Sequence, residues 1–585
     1  MKIICFSSHT ATWFFAFAQA AIASVLQKRG HEIVYVTSGC LLSNISNIAQ
    51  EKIIRKEFGL KGYELKTVLT KDDYKEINLL LKKTNKSNFN DLLIDNIQIG
   101  KIALYEFLLH NKKVHVRLTD GDWSECKIYL RNTLISFFAC RRIVKKERPN
   151  GILMYSTLYS ADHVWQKYAN YMKIPIYFMD HGGNFSDVDD TLMIGKTNTF
   201  FFIDKLKKMY NKIKNVPVSQ KELKYVTENF LELIKAKHFL VYSAPKSKEN
   251  LNIKKIYDIS DNQKVLTATL SSYDEMFAAK YVGAWIFSEK LVFKNQIEWI
   301  KSLIIYVKKR RDLFLIIRVH PREFPNKREG IKSVHAKMLE KVLRNLPNNI
   351  RINWPVDDIS IYDIAQETDV FLNAWSSVGV EMSLLGIPVV IYTKELIFYP
   401  PALHYVAKNQ KDYFAKIELA LRKGWSYEQI KKTYRWLALY YYHTIVRLRN
   451  KKRGVKTSIS TRFISNIISY TYRLLPSKIK NFLIKIYYAI PGLGVGKRQI
   501  NDCRRQLAEH VDISGVEKMI KESGDTLVDV EKILKNGVTE KEEDLYIRRE
   551  VKRMYSALYR AMSDETKIKK GSLRYNLKQV FTKNE

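Results

Sequence analysis

The sequence predicts an α/β protein of two doubly wound, Rossmann-like domains facing a cleft, with a helical C-terminal extension. Three observations carry this: a strand, crossover helix and parallel strand within the first 37 residues, a second such start at Lys264, and a regular alternation of helix and strand after it. Lys2 to Phe6 reads as a short apolar strand, Ser7 to Thr10 as a polar turn, Ala11 to Lys28 as a helix stopped by Gly30, and Glu32 to Thr37 as the next strand. Ser87 to Asn111 reads as an insert of helices. Gly151 to Tyr155 and Pro175 to Met179 are strands on either side of the helix Ala161 to Met172.

The polar, turn-rich stretch Lys246 to Gln263 separates this region from the buried strand Lys264 to Leu270. There follow the helix Ile297 to Arg311, strand Leu313 to Val319, helix Val334 to Leu346, strand Ile350 to Ile352, helix Ile359 to Glu367, strand Val370 to Asn373, helix Val378 to Leu385 and strand Pro388 to Tyr392. Such alternation predicts a second parallel sheet covered on both faces. The expected division is 1–245, an acceptor domain; 246–424, a nucleotide domain; 425–500, a basic amphipathic segment; and 501–585, a helical tail of mixed charge. Tandem domains of this kind bind ligands at the carboxyl ends of their strands, which places the site in the cleft.

Composition bounds the function. The chain is 46% hydrophobic and 27% charged, so cores are affordable and wholesale disorder is excluded. The net charge of +38 suggests nucleic acid, an anionic membrane or anionic substrates. Its placement favours the membrane: Leu421 to Ile500 holds 18 Lys and Arg against the single acid Glu428, interleaved with Phe463, Tyr470 and the run Phe482 to Tyr488. A nucleic-acid-binding or scaffolding protein is the alternative from another class, disfavoured because this charge lies outside the cleft. Cys5, Cys40, Cys126, Cys140 and Cys503 are scattered and lack CxxC spacing, which points to a reducing compartment and away from zinc. The apolar run Ala11 to Leu26 imitates a secretory signal, but one basic residue precedes it and Gln19 interrupts it. No other stretch approaches 18 apolar residues, so the expected location is cytoplasmic, peripheral on the inner face of the plasma membrane.

Two motifs carry the chemistry. Asn373-Ala374-Trp375-Ser376-Ser377-Val378-Gly379-Val380-Glu381 joins a buried strand to a helix, which sets two hydroxyls at a helix start. Ser376, Ser377 and Gly379 offer donors and close approach to a phosphate, with Glu381 one turn on for ribose hydroxyls; a plain serine cap with a helix-facing glutamate fits the same pattern. Arg318-Val319-His320-Pro321-Arg322-Glu323 ends another apolar strand, where Pro321 fixes the backbone and presents His320 to a phosphate or base, with Arg318 adding charge.

The order strand-His-Pro and then, about 55 residues on, strand-Ser-Ser-helix-Gly-x-Pro-strand resembles the donor domain of the bacterial capsule polysaccharide synthesis family, which includes retaining Kdo transferases. It is similar also to bacterial GT-B sialyltransferases and teichoic-acid glycerophosphotransferases. The resemblance covers residues 264 to 405, and the amino-terminal half in architecture only. It implies the GT-B fold, a cytidine-nucleotide donor held by His320, Pro321, Ser376, Ser377 and Glu381, and glycosyl transfer from a nucleotide sugar, expected to be a CMP-linked acidic sugar. The acceptor would be a polysaccharide or lipid-linked glycan of capsule or lipopolysaccharide synthesis. A CDP-polyol phosphotransferase is the enzymatic alternative.

Phe178-Met179-Asp180-His181-Gly182-Gly183-Asn184 also follows a strand, and its glycines permit close backbone approach to an acceptor. The teichoic-acid enzymes have a similar His-Gly after a strand, so the resemblance gives His181 the role of base, beside Asp180. Asp120-Gly121-Asp122 resembles, in altered order, the acidic pair and glycine of sialyltransferases, which makes Asp120 and Asp122 further catalytic candidates. Asp187-x-Asp189 imitates a metal motif of the other glycosyltransferase fold, but a GT-B site meets leaving-group charge with side chains, so neither metal nor cofactor is expected. Ser8, His9 and Thr10 close the first strand, where they can touch an acceptor or cap the helix that follows.

Overall fold

The computed structural model describes residues 1–10, 13–39, 41–42, 48–238, 240–249, 251–286, 291–326, 330–395, 397–448, 511–560 and 568–582. Its strands are β1 (Lys2–Ser7), β2 (Glu32–Thr37), β3 (Gly62–Glu64), β4 (Gly151–Tyr155), β5 (Ile176–His181), β6 (Thr191–Lys196), β7 (Lys264–Thr269), β8 (Leu313–Arg318), β9 (Ile350–Asn353), β10 (Val370–Asn373), β11 (Val389–Ile391), β12 (Tyr405–Val406) and β13 (Ile445–Arg447). They form two sheets, ordered β13-β6-β5-β4-β1-β2-β3 and β12-β11-β10-β7-β8-β9. This is the GT-B arrangement of two α/β domains.

The second sheet is parallel throughout. The first is mixed: β1 to β5 run parallel, β6 is antiparallel to its neighbours β5 and β13, and β13 again runs with β1 to β5. The connection Gly182 to Asp190 explains this, because it is shorter than the crossover of about a dozen residues that a parallel return needs. In each sheet the strand order reverses beside the opening strand, between β1 and β4 and between β7 and β10. Crevices at such reversals are where ligands bind.

Alternation along β1 splits the first domain's core. Ile4 and Phe6 pack with the helices Asp120–Glu147 and Ser160–Tyr171, while Ile3 and Cys5 pack with Trp13–Lys28. The insert expected at 87 to 111 holds only short helical turns, Phe89–Asp91, Ile99–Ile102 and Tyr105–His110.

The end of the chain returns to the first domain. Helix Tyr427–Tyr442 buries Trp436 and sets its Tyr434 hydroxyl 2.9 Å from Thr227 Oγ1, after which β13 pairs with β6. Helix Ser514–Lys521 buries Val516, Met519 and Ile520 against the face carrying Ile3 and Cys5, and the Tyr177 hydroxyl donates to Met519 O at 3.2 Å. Helix Glu540–Tyr559 lies along Gln220–Lys235, tied by Arg553 to Glu228 at 2.6 Å and by Arg435 to the buried Glu543. The surface segment expected at 425–500 is therefore corrected over 425–448, whose apolar face is spent inside the fold; its remainder, and 501–510, lie outside the described residues. Among the described residues no helix is long and apolar enough to cross a membrane.

Candidate functional site

A cavity of about 140 Å³ opens at the carboxyl ends of β7, β8 and β10. Arg318, His320 and Pro321 line it from the β8 end, Ser376, Ser377 and Glu381 from the β10 end, and Thr269 and Leu270 from β7. The two motifs thus meet across the reversal point of the second sheet. Phe185 of the first domain and Tyr242 and Ser243, just before the inter-domain connection, close the other side, with Tyr362 beside Glu381.

Arg318 is 8% exposed. Its Nη1 donates to Asn353 Oδ1 and, at 2.8 Å, to Ile359 O, both neutral, and among the described residues no carboxylate lies in ion-pair reach. Burial lowers its guanidinium to about 10. Asp357 and Asp363 favour its charge only through space, and a buried cation without a direct ion pair is costly, so an anion entering this cavity would gain a pairing that the fold does not supply. His320 faces the same space. Its Nδ1 accepts from the Arg322 backbone N–H at 3.2 Å, which fixes Nε2 as the protonated nitrogen and a donor, and burial pushes the imidazole down toward that neutral form.

The serines play two parts. Ser376 Oγ accepts from Val378 N at 3.3 Å, while Ser377 Oγ donates to Glu381 Oε1 at 2.9 Å, and Tyr362 donates to Glu381 Oε2 at 2.7 Å. Burial pushes the Glu381 carboxyl above the ordinary range. Gly379 does not line this cavity. A Cβ there would lie 2.4 Å from the Tyr399 hydroxyl and 2.5 Å from Asn373 Nδ2, so the glycine makes room for the chain's own residues, and the expectation of a phosphate contact is corrected.

Gly182 and Gly183 are corrected for the same reason. Added Cβ atoms would meet Thr191 Oγ1 at 2.1 Å and the Tyr441 ring at 3.0 Å. His181 and Asp180 end β5 next to this turn, with Nε2 and Oδ1 3.8 Å apart and the Tyr155 hydroxyl 3.3 Å from Asp180 Oδ1. Asp120 and Asp122 line a separate cavity with Lys86, Trp123 and Lys127 or cap the helix they begin. Asp122 completes a capping box with Thr119 and pairs with Lys113 at 2.6 Å, and the exposed Asp120 pairs with Lys86 at 2.7 Å. Neither lines the motif cavity, and each is committed to an ion pair or a helix cap.

At the β1 end, Ser8 and His9 both reach Asp162, and Thr10 donates to Glu51 at 2.8 Å. Asp187 is buried, accepting from Tyr225 at 2.6 Å and pairing with Arg447 at 2.6 Å, so it anchors β13. Among the described residues no group of three His, Cys, Asp or Glu is arranged for a metal.

No known family model matches the chain, and no curated protein matches it in sequence. Solved structures similar in outline include S. aureus MnaA with UDP, at 11% identity, TM-score 0.27, covering 80% of this chain and 96% of that one. The Thermosulfurimonas dismutans β-Kdo 2,4 transferase KpsC is similar at 12% identity and TM-score 0.32, over 52% of this chain and 83% of that one. The Methanocaldococcus jannaschii UDP-GlcNAc 2-epimerase with UDP-GlcNAc and UDP is similar at 12% identity and TM-score 0.26, over 74% and 98%. Overlap this loose carries no weight for site or substrate, and the GT-B assignment rests on the two sheets themselves.

Proposed function

We propose that this chain is a glycosyltransferase that binds a nucleotide-activated sugar at the second sheet and delivers the sugar to an acceptor held by the first domain. The observation that supports it most is Arg318, a buried guanidinium with only neutral partners, opening on a cavity shared with the His320 Nε2–H and the Ser376 and Ser377 hydroxyls. A nucleotide phosphate supplies the missing negative charge and bidentate acceptors. Tyr242 and Phe185 offer aromatic surface for a base at the cavity's other wall. Taken with the motif resemblance, the donor is a cytidine nucleotide linked to an acidic sugar, and the acceptor a growing or lipid-linked surface glycan. The basic, aromatic segment beyond residue 448 would hold the enzyme at an anionic bilayer.

The test is a thermal-shift and calorimetric comparison of CMP, CDP, UDP and GDP on the full chain. One nucleotide at roughly 100 times its Kd should stabilise by about 2.7 kcal/mol, and Arg318→Met at the same concentration should cut this to about 0.4–1.4 kcal/mol. Indifference to all four, or an Arg318→Met chain that binds like wild type, defeats the reading.

A further inference from the structure

Transfer to a hydroxyl requires a group to take the acceptor's proton, and two strand ends of the first sheet present a histidine. They are held differently. His181 turns Nδ1 toward its own neighbour, 3.2 Å from Gly182 O, and Asp180 is occupied by the His181 amide at 2.8 Å and by Tyr155. His9 follows β1, beside the reversal between β1 and β4, and its Nε2 lies 3.0 Å from Asp162 Oδ2. Asp162 is fully buried and its other oxygen accepts from Ser8 Oγ at 2.6 Å, so both oxygens are committed.

The clamp is itself braced. Asp162 sits in the first turn of the helix Ser160–Tyr171, whose start is pinned by buried Glu106, which accepts from Ser160 N at 3.0 Å and Ser160 Oγ at 2.8 Å. The His9 ring lies 4.6 Å from that of Tyr159, and its side chain is 11% exposed. A carboxylate accepting the Nε2 proton leaves the lone pair on Nδ1, and among the described residues Nδ1 has no partner. The wall beside His9 faces the other domain. Tyr159 and Tyr105, 6.0 Å apart, both feel the charge of Glu275, which lies 3.3 Å from Arg322 Nε and acts also on His320. His9 thus stands at the carboxyl end of β1, on the side of the first domain from which Tyr105 and Tyr159 approach Glu275 of the second.

We propose that His9 is the catalytic base and Asp162 its positioning residue, an inference that rests on the glycosyltransferase reading above. The acceptor O–H proton passes to His9 Nδ1 as the oxygen bonds to the donor's anomeric carbon. The bond from that carbon to the nucleotide phosphate oxygen breaks, and its electron pair leaves with the phosphate, whose charge Arg318 balances. The imidazolium so formed is paired with buried Asp162, which favours the step in a low-dielectric site. A single displacement inverts the anomeric configuration.

Two measurements on the full chain decide it. Ring-nitrogen NMR, with the His9 signal assigned by its loss in His9→Gln, should show the Nε2–H tautomer in wild type and a mixed tautomer in Asp162→Asn; an Nδ1–H wild-type ring overturns the proposal. Nucleotide release from CMP-, CDP-, UDP- and GDP-linked donors should fall about 10²- to 10⁴-fold in His9→Gln, with nucleotide affinity held within about twofold. His181→Gln should lose at least about tenfold less than His9→Gln. Full turnover by His9→Gln, or a product of retained configuration, overturns the assignment. A wild-type chain that binds no nucleotide instead defeats the glycosyltransferase reading, and the tautomer then still decides whether the dyad is set as a base.

Discussion

Arg318 and Arg322 lie four positions apart on either side of the His-Pro turn, are similarly buried, and are treated oppositely by the fold. Arg322, 4% exposed, pairs with the buried Asp274, donates to Ser272 Oγ at 3.0 Å and reaches Leu109 O at 3.4 Å in the insert. Lys112, also buried, donates to the Arg322 carbonyl and to Ile331 O at 2.8 Å, so the loop after β8 is bolted to the first domain. Arg318 has no such partner. One cation is ion-paired within the protein and builds the frame; the other has only neutral hydrogen-bond partners and opens on the cavity. Equal burial therefore does not imply equal role, and the counter-charge is what separates them.

The comparison can be broken most forcefully at Arg322. Arg322→Ala leaves Asp274 buried and unpaired and should cost about 3–5 kcal/mol in urea unfolding. Arg318→Met removes a cation with no direct ion pair, favoured only through space by Asp357 and Asp363, so stability should change little, while nucleotide affinity measured by calorimetry should fall about ten- to a hundredfold, the worth of a charge-assisted hydrogen bond. A large stability loss in Arg318→Met would erase the distinction. Gly379→Ala should cost about 1–3 kcal/mol in thermal unfolding, because its methyl group overlaps the Tyr399 hydroxyl inside the frame rather than in the cavity.

The smallest effect sharpens the question of what balances Arg318. Were Glu381 its counter-ion, the guanidinium would hold that carboxyl down; burial instead pushes it up. The folded state then binds the Glu381 proton more tightly than the unfolded state does. Its contribution to stability is full below the ordinary carboxylate range and is lost as pH rises through the raised folded value. Unfolding measured across that window should show this falling slope, flattened in Glu381→Gln, and a slope of opposite sign would place Glu381 against the guanidinium.

The architecture was legible because the runs at Leu313–Arg318 and Val370–Asn373 are continuously apolar, as strands buried on both faces must be, and the polar motifs follow them directly. That the motifs share one cavity follows from parallel strands aligning their carboxyl ends. The glycines were misread because sequence shows a missing Cβ but not what fills the space, and at Gly379 the answer is Tyr399, far along the chain. Tyr242 and Phe185 gave no local signal, and Tyr242 lies four residues before the junction read at Lys246. The Thr119-x-x-Asp122 spacing is that of a capping box, a signal that the neighbouring Asp120 disguises as an acidic pair. β13 is three residues long, too short for any periodicity to betray it.

That late strand has a consequence for how the protein is made. Arg447 meets Asp187 from 260 positions away, and Met519 meets Tyr177 from 342. A ribosome therefore releases the whole second domain before the amino-terminal sheet can acquire its last edge strand and its outer helix. Until then β6 is an open edge, a template for mispairing with another nascent chain, and synthesis rate rather than sequence alone governs how long that exposure lasts.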